Sequence, residues 1–250
     1  LSGTSTPPTT GSSMNDTGIL WTDFTWNPNS GCAVLSEGCK YCYAKNRAER
    51  FRGTPGFPNG FDLTLRPHKL REPSKLKTPS LIFVNSMSDL FWERIPDSYR
   101  DQIVDVIDAT PQHQYQVLTK RPDTMLDYSR RRPLPPNFWA GVTIESNRHI
   151  GRADVLRQVD VEVRFISAEP LLSALPDLDL TDIHWIITGG ESGSHLSNPA
   201  TAERRALVHR NGTGWELRQD RVAWLREIRE KCTATGTAFF HKQHGGPRPT

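Results

Sequence analysis

The chain has 250 residues, 24% of them charged, with a net charge of +3 at neutral pH. That length fits one large domain, such as a barrel, or two small ones, and the composition excludes a disordered chain. The mild charge permits an anionic partner without requiring one, and no apolar run approaches the roughly 18 residues that mark a membrane span.

Residues 1–18 lack the basic and apolar blocks of a signal peptide. They read as a flexible tail or cloning scar, with Met14 as a candidate start, ahead of a single domain over 19–250. A first strand is a candidate at 21–26. Six further apolar runs, rich in β-branched and aromatic residues, follow at 81–86, 115–120, 138–144, 163–168, 183–188 and 237–241. Near-continuous apolarity of this kind suits parallel strands buried on both faces.

Helical patterns alternate with these runs. Asp97 is placed to cap a helix over 98–109, where Ile103, Val106 and Ile107 share a face. A weaker pattern covers 147–159. A third, over 219–232, carries Val222, Leu225 and Ile228 on one stripe, with Gly236 just beyond. Stretches 53–79 and 192–214 read as loops, the second with a strong turn signal at 211–214. Arg130, Arg131 and Arg132 read as a solvated connector. Strand–helix alternation predicts an α/β fold, a full or partial (β/α) TIM-like barrel of about six parallel strands, with an open doubly wound sheet as the alternative.

In such a barrel the active site forms at the C-terminal strand ends. Those ends are polar here: Ser86 to Asp89, Lys120 with Arg121, Glu145-Ser146-Asn147, Glu169 and Glu191. Each has an ordinary reading alone. Asp89 suits a helix cap, Lys120 and Arg121 suit solvent, and Glu169 before Pro170 suits a turn. Burying all of them at one mouth without a ligand would be costly.

Three of the four cysteines, Cys32, Cys39 and Cys42, share one short loop. Three thiolates suit a [4Fe–4S] cluster with one iron left open, and Gly31 and Gly38 give the loop freedom to wrap it. Zinc is the rival, with a fourth ligand from Cys232, His241 or His244, although the paired C-x2-C knuckles of zinc ribbons are absent. Inert buried thiols are the other alternative. Sparse cysteines without disulfide-like spacing predict a reducing, cytoplasmic setting.

Cys39-Lys40-Tyr41-Cys42 matches the C-x-aromatic-C half of the radical S-adenosylmethionine signature. Six residues separate Cys32 from Cys39, where three are usual. Trp26-Asn27-Pro28, Ser86-Met87-Ser88-Asp89-Leu90-Phe91, Leu118-Thr119-Lys120-Arg121-Pro122, Gly141-Val142-Thr143-Ile144-Glu145, Glu169-Pro170-Leu171-Leu172, Gly189-Gly190-Glu191-Ser192-Gly193 and Phe239-Phe240-His241-Lys242-Gln243 extend the likeness. On these segments the chain resembles an uncharacterised phage-type, three-cysteine, radical-SAM-like family. The resemblance implies S-adenosylmethionine (SAM) on the open iron, an electron donor, and a 5′-deoxyadenosyl radical that abstracts a substrate hydrogen. It implies that Ser86 and Asp89 meet the methionine amino group and that Lys120 or Arg121 meets its carboxylate. Glu145, Ser146 and Asn147 would meet the ribose, Glu169 and Glu191 SAM or substrate, and Tyr41 the adenine. Phage-linked relatives make a nucleic acid or nucleotide the expected substrate, with Lys69, Arg71, Lys75, Lys77 and Arg130 to Arg132 as phosphate contacts. The alternative is a non-enzymatic nucleic-acid-binding module with a structural zinc or iron–sulfur site.

Overall fold

The computed structural model describes residues 15–247. The predicted tail lies outside the described residues as far as residue 14, Met14 included. The elements begin β1 (Asn15–Asp16), β2 (Phe24–Trp26), β3 (Asn29–Ser30), α1 (Tyr43–Arg50), β4 (Thr64–Leu65) and β5 (Leu81–Val84). They continue α2 (Asp97–Asp108), β6 (Gln114–Thr119), α3 (Pro122–Arg131), β7 (Phe138–Thr143), α4 (Gly151–Leu156) and β8 (Arg164–Ala168). The chain closes with β9 (Trp185–Gly189), α5 (Pro199–Arg205), β10 (Val208–Asn211), β11 (Gly214–Leu217), α6 (Gln219–Thr235) and β12 (Ala238–Gln243).

All the expected strands are present, the one near residue 21 included. One sheet runs in the order β1-β2-β5-β6-β7-β8-β9-β12. Strand β1 is antiparallel to β2, and every other pairing is parallel. The seven parallel strands curl into a half-barrel, so the fold is a partial TIM-like barrel. No helix among the described residues is long and apolar enough to cross a membrane.

Alternation along the strands sends one set of side chains to each face. Ile82, Val117, Val142 and Ile166 pack outward in the main core with Ile103 and Ile107 of α2, Met125 of α3 and Ile228 of α6. Each such buried side chain contributes about 1.5–3 kcal/mol. Phe83, Phe165 and Ile187 turn inward and, with Trp21, fill the bottom of the half-barrel. Gly141 makes that filling feasible. A Cβ there would lie 2.3 Å from the Phe165 ring, so the ring occupies the space a side chain would need. The floor is therefore packed, and open space is left to the C-terminal mouth.

Three local readings change. Pro96, not Asp97, holds the N-cap position of α2, and Asp97 is its first residue, where it pairs with Arg100. Segment 192–214 is not a loop throughout: it forms a 3-10 turn (Ser194–Ser197), α5 and β10. Asn198 caps α5 by accepting from the Thr201 N–H. The turn signal at 211–214 is the hairpin between β10 and β11, with Gly212 at φ +56°. Helix α3 takes in Arg130 and Arg131, which read as part of a connector in the sequence, and it starts at Pro122, where proline is tolerated in the first turn. Arg131 and Arg132 fold back onto Asp101 and Asp105 of α2.

Candidate functional site

The cysteine loop leaves the first parallel strand, β2, and ends at α1. Gly31 is obligatory for its path: its φ is +93°, and a Cβ would lie 2.5 Å from the Asp62 carbonyl. A 3-10 turn, Glu37–Cys39, brings the second cysteine back over the sheet. All three thiols are free and partly exposed. They line one cavity of about 1640 Å³ at the C-terminal ends of the strands, together with Tyr41, Ser86, Asp89, Lys120, Arg121, Glu169 and Glu191. Glu145, Ser146 and Asn147 do not line it.

The polar side chains in this cavity are mostly committed to one another. The Asp89 carboxylate accepts from the Phe91 N–H (3.0 Å), the Thr119 hydroxyl (2.6 Å), the Lys120 N–H (3.1 Å) and Arg121 (2.9 Å). Arg121 also donates to the Cys32 sulfur at 3.5 Å. Glu191 is held by the Arg205 guanidinium at 2.5 and 2.6 Å. Lys242 pairs with Glu169 at 2.5 Å. Ser86 exchanges hydrogen bonds with Asn27, and its carbonyl accepts from the Tyr43 hydroxyl. The Lys120 ammonium makes neither a hydrogen bond nor an ion pair among the described residues.

The residues outside the cavity hold the cysteine loop. Glu145 is fully buried, bonded to Arg152 at 2.7 Å and to the Ser36 hydroxyl. Burial opposes its ionisation, but Lys120 and Arg152 outweigh that and hold its carboxyl below the usual range. Glu37 accepts from the Ser146 hydroxyl at 2.5 Å and pairs with His149 at 2.9 Å. Glu37, Glu145 and His149 converge within 4.8 Å, and these neighbours already engage their ligand atoms. Asn147 donates to Asp177 on the outer side. On the opposite flank Tyr41 stacks on His195, 3.8 Å between centroids and 5° from parallel, while Arg205 lies 5.1 Å from the Tyr41 ring. Arg205 also donates to the Glu37 carbonyl at 3.0 Å.

These surroundings set the thiols apart. Burial, then the charge of Asp89, pushes the Cys32 thiol up to about 11 against the pull of Arg121. Burial also opposes ionisation of Cys39. There Lys120 and hydrogen bonds from the Leu35 and Ser36 backbone prevail and hold the thiol below its ordinary value. Among the described residues the three sulfurs do not gather within 4.8 Å of one another. A tetrahedral zinc ion would need thiolates about 3.8 Å apart at its usual bond lengths. Cys232 is buried in the core on α6, and neither it nor His241 or His244 lines the cavity. His241 bonds Thr188 and His244 instead. The three thiols are therefore not arranged around a single tetrahedral ion.

Ser36, Arg152, His149, His195 and Arg205 escape a reading based on strand ends. Ser36 precedes Cys39 by three residues. The others lie one helical turn or more beyond the strand ends, and nothing in their spacing marks them.

A half-barrel of parallel strands carrying a cysteine loop after its first strand defines the class. Within it, residues 16–210 match the family described as "Protein of unknown function (DUF5131)", and the chain belongs to that family. No curated protein sequence matches it. Among solved structures it is similar to spore photoproduct lyase complexed with dinucleoside spore photoproduct, with TM-score 0.59, 11% identity, and coverage of 92% of this chain and 78% of that one. A doubly substituted variant of that lyase with bound AdoMet and dinucleoside spore photoproduct aligns with TM-score 0.54, 13% identity and the same coverages. At these identities the likeness establishes the shared fold.

Proposed function

We propose that the protein is a radical SAM enzyme of the reducing cytoplasm, with 19–250 acting as one domain. The observation that carries this is the placement of three free thiols and a band of strand-end polar groups around one cavity at the mouth of a parallel half-barrel. The similar structures, whose descriptions include AdoMet and a dinucleoside ligand, support the same reading.

Cys32, Cys39 and Cys42 would hold a [4Fe–4S] cluster. Bound there with SAM, and with an electron donor, the cluster would supply one-electron reductive chemistry at the SAM sulfonium. The chain's own contribution is orientation and charge. Lys120 is the strand-end cation whose ammonium makes no hydrogen bond or ion pair among the described residues, so it is the group to receive the SAM carboxylate. Arg121, locked between Asp89 and Cys32, offsets anionic charge beside the first thiolate. Ser86 and Asn27 offer hydroxyl and amide groups to the cavity, which Glu169 and Lys242 also line. Tyr41, already stacked on His195, presents an aromatic surface to an adenine. Glu145, Ser146 and Glu191 act through the loop they brace, and Asn147 acts beside it. The substrate class is a nucleotide or nucleic acid.

Anaerobic reconstitution tests this reading. The expected product is brown, with about four iron and four sulfide per chain, as a cubane contains. It should bind SAM in calorimetric titration and release 5′-deoxyadenosine on reduction. Lys120→Met should weaken SAM binding and leave the colour. Colourless protein carrying one zinc would overturn the proposal.

A further inference from the structure

The charge of this chain is unevenly placed. Residues 40–77 hold ten Lys and Arg against three Asp and Glu, a net +7, whereas the whole chain is +3, so all other residues sum to −4. That segment is α1 and the loop after it, which form one wall of the cavity.

Ion pairing sharpens the contrast. Every acid lining the cavity is matched: Asp89 by Arg121, Glu169 by Lys242 and Glu191 by Arg205. On the basic wall, Glu49 and Asp62 are both spent on Arg52. Lys45, Arg47 and Arg66 line the cavity without an ion pair to any described carboxylate. Arg130 to Arg132, the other basic run, are each paired to an acid of α2 or α3. Unmatched positive charge is thus concentrated on one wall.

The wall also carries aromatic surface. Tyr43 is 60% exposed. Phe57 lines the cavity, with Arg66 at 5.7 Å from its ring and the 43% exposed Phe51 stacked at 6.4 Å. The cavity, about 1640 Å³, exceeds the roughly 300–1,000 Å³ of a usual small-molecule pocket. Room therefore remains beside a bound SAM.

We infer that α1 and the 53–69 loop form a docking wall for a single-stranded nucleic acid, with phosphates on Lys45, Arg47 and Arg66 and a base inside the cavity. Interleaved cations and exposed rings are the recognition chemistry of single strands, whose unpaired bases have faces free to stack. A duplex offers phosphates without those faces. A free nucleotide would leave the outward charge of Lys40 and Arg50 unused. This inference rests on the enzyme reading only for the position of SAM in the remaining space.

The test is fluorescence anisotropy of labelled 12-nucleotide single strands on the reconstituted full chain with SAM, from 50 to 200 mM salt. The double variant Lys45→Glu/Arg47→Glu should bind at least tenfold more weakly, with the salt slope reduced by about 1.4, since each lost single-strand phosphate contact is worth about 0.7. Tyr43→Leu should weaken binding several-fold and Tyr43→Phe should restore it. Arg130→Glu should change nothing, and calorimetric SAM affinity should hold in every variant. No strand binding by protein that still binds SAM would overturn the wall and leave the enzyme reading. Strand binding indifferent to the double variant, or equal binding of a duplex, would overturn it too. Strand binding lost in the double variant, in protein that never binds SAM, would support the wall and sink the enzyme reading.

Discussion

Asp89→Ala removes a carboxylate that ties three chain segments together. Its side chain is 8% exposed and that of Arg121 is 6% exposed. After the change the guanidinium keeps only the Cys32 sulfur and Ala33 carbonyl at 3.5 Å and the largely exposed Glu93 at 3.3 Å. The Thr119 hydroxyl and the Phe91 and Lys120 N–H groups lose their acceptor as well. Removing one partner of a buried ion pair costs about 3–5 kcal/mol, because the other charge stays behind. With a urea m-value of about 2–3 kcal/mol/M for a chain of this size, the midpoint should fall by roughly 1–2.5 M. The assay is equilibrium urea unfolding of the cluster-free protein, followed by circular dichroism and tryptophan fluorescence, with coincident transitions required. Asp89→Asn, which keeps the shape and part of the hydrogen bonding, should fall between. A loss under about 1 kcal/mol for Asp89→Ala, the size expected of an exposed pair, would refute the assignment of Asp89 as the anchor of Arg121.

Further expectations concern the cysteine loop, the floor and the last strand. Cys39→Ala should leave a folded chain with native circular dichroism and no brown colour, because the core of the half-barrel does not pass through the loop; a chain that fails to fold would point to a structural metal. Gly141→Ala should cost about 1–3 kcal/mol in the same urea assay, since the Phe165 ring must move to admit the new Cβ. Burial, with His244 beside it, lowers His241 to about 4. The unfolded chain therefore binds the extra proton first, and stability should be full above pH 6.5 and fall as pH drops from about 6.5 towards 4. His241→Asn should flatten that part of the stability profile, and an unchanged slope would refute the assignment.

The strands are legible in the sequence because parallel strands buried on both faces must be apolar nearly throughout, as 138–143 and 185–189 are. Their polar ends are legible for the same reason, since topology alone delivers Ser86, Lys120 and Glu169 to one mouth. Partnership is not legible there. Whether Glu145 faces the cavity or turns behind the cysteine loop depends on Arg152, one turn into the next helix, and on Ser36, 109 residues away. Glu191 likewise meets Arg205 only because 199–205 is helical. That helix reads as loop because it is short and buries little beyond Thr201 and Ala202. Helix α3 is missed because its last turn is the basic run at Arg130 and Arg131, which resembles a solvated connector.

The cysteine loop is moored on two sides: to the connection between β7 and α4 through Ser36–Glu145 and Glu37–His149, and to the segment before β10 through Tyr41–His195 and the Arg205 contact with the Glu37 carbonyl. None of these four contacts uses a sulfur, although Arg121 also donates to the Cys32 sulfur. The ordering of the loop is thus completed when the chain folds, and a later occupant of the three thiols would find them already held in place. Filling the site would then involve sulfur chemistry with little chain rearrangement. On the proposed reading, loss of the occupant would leave these four contacts in place.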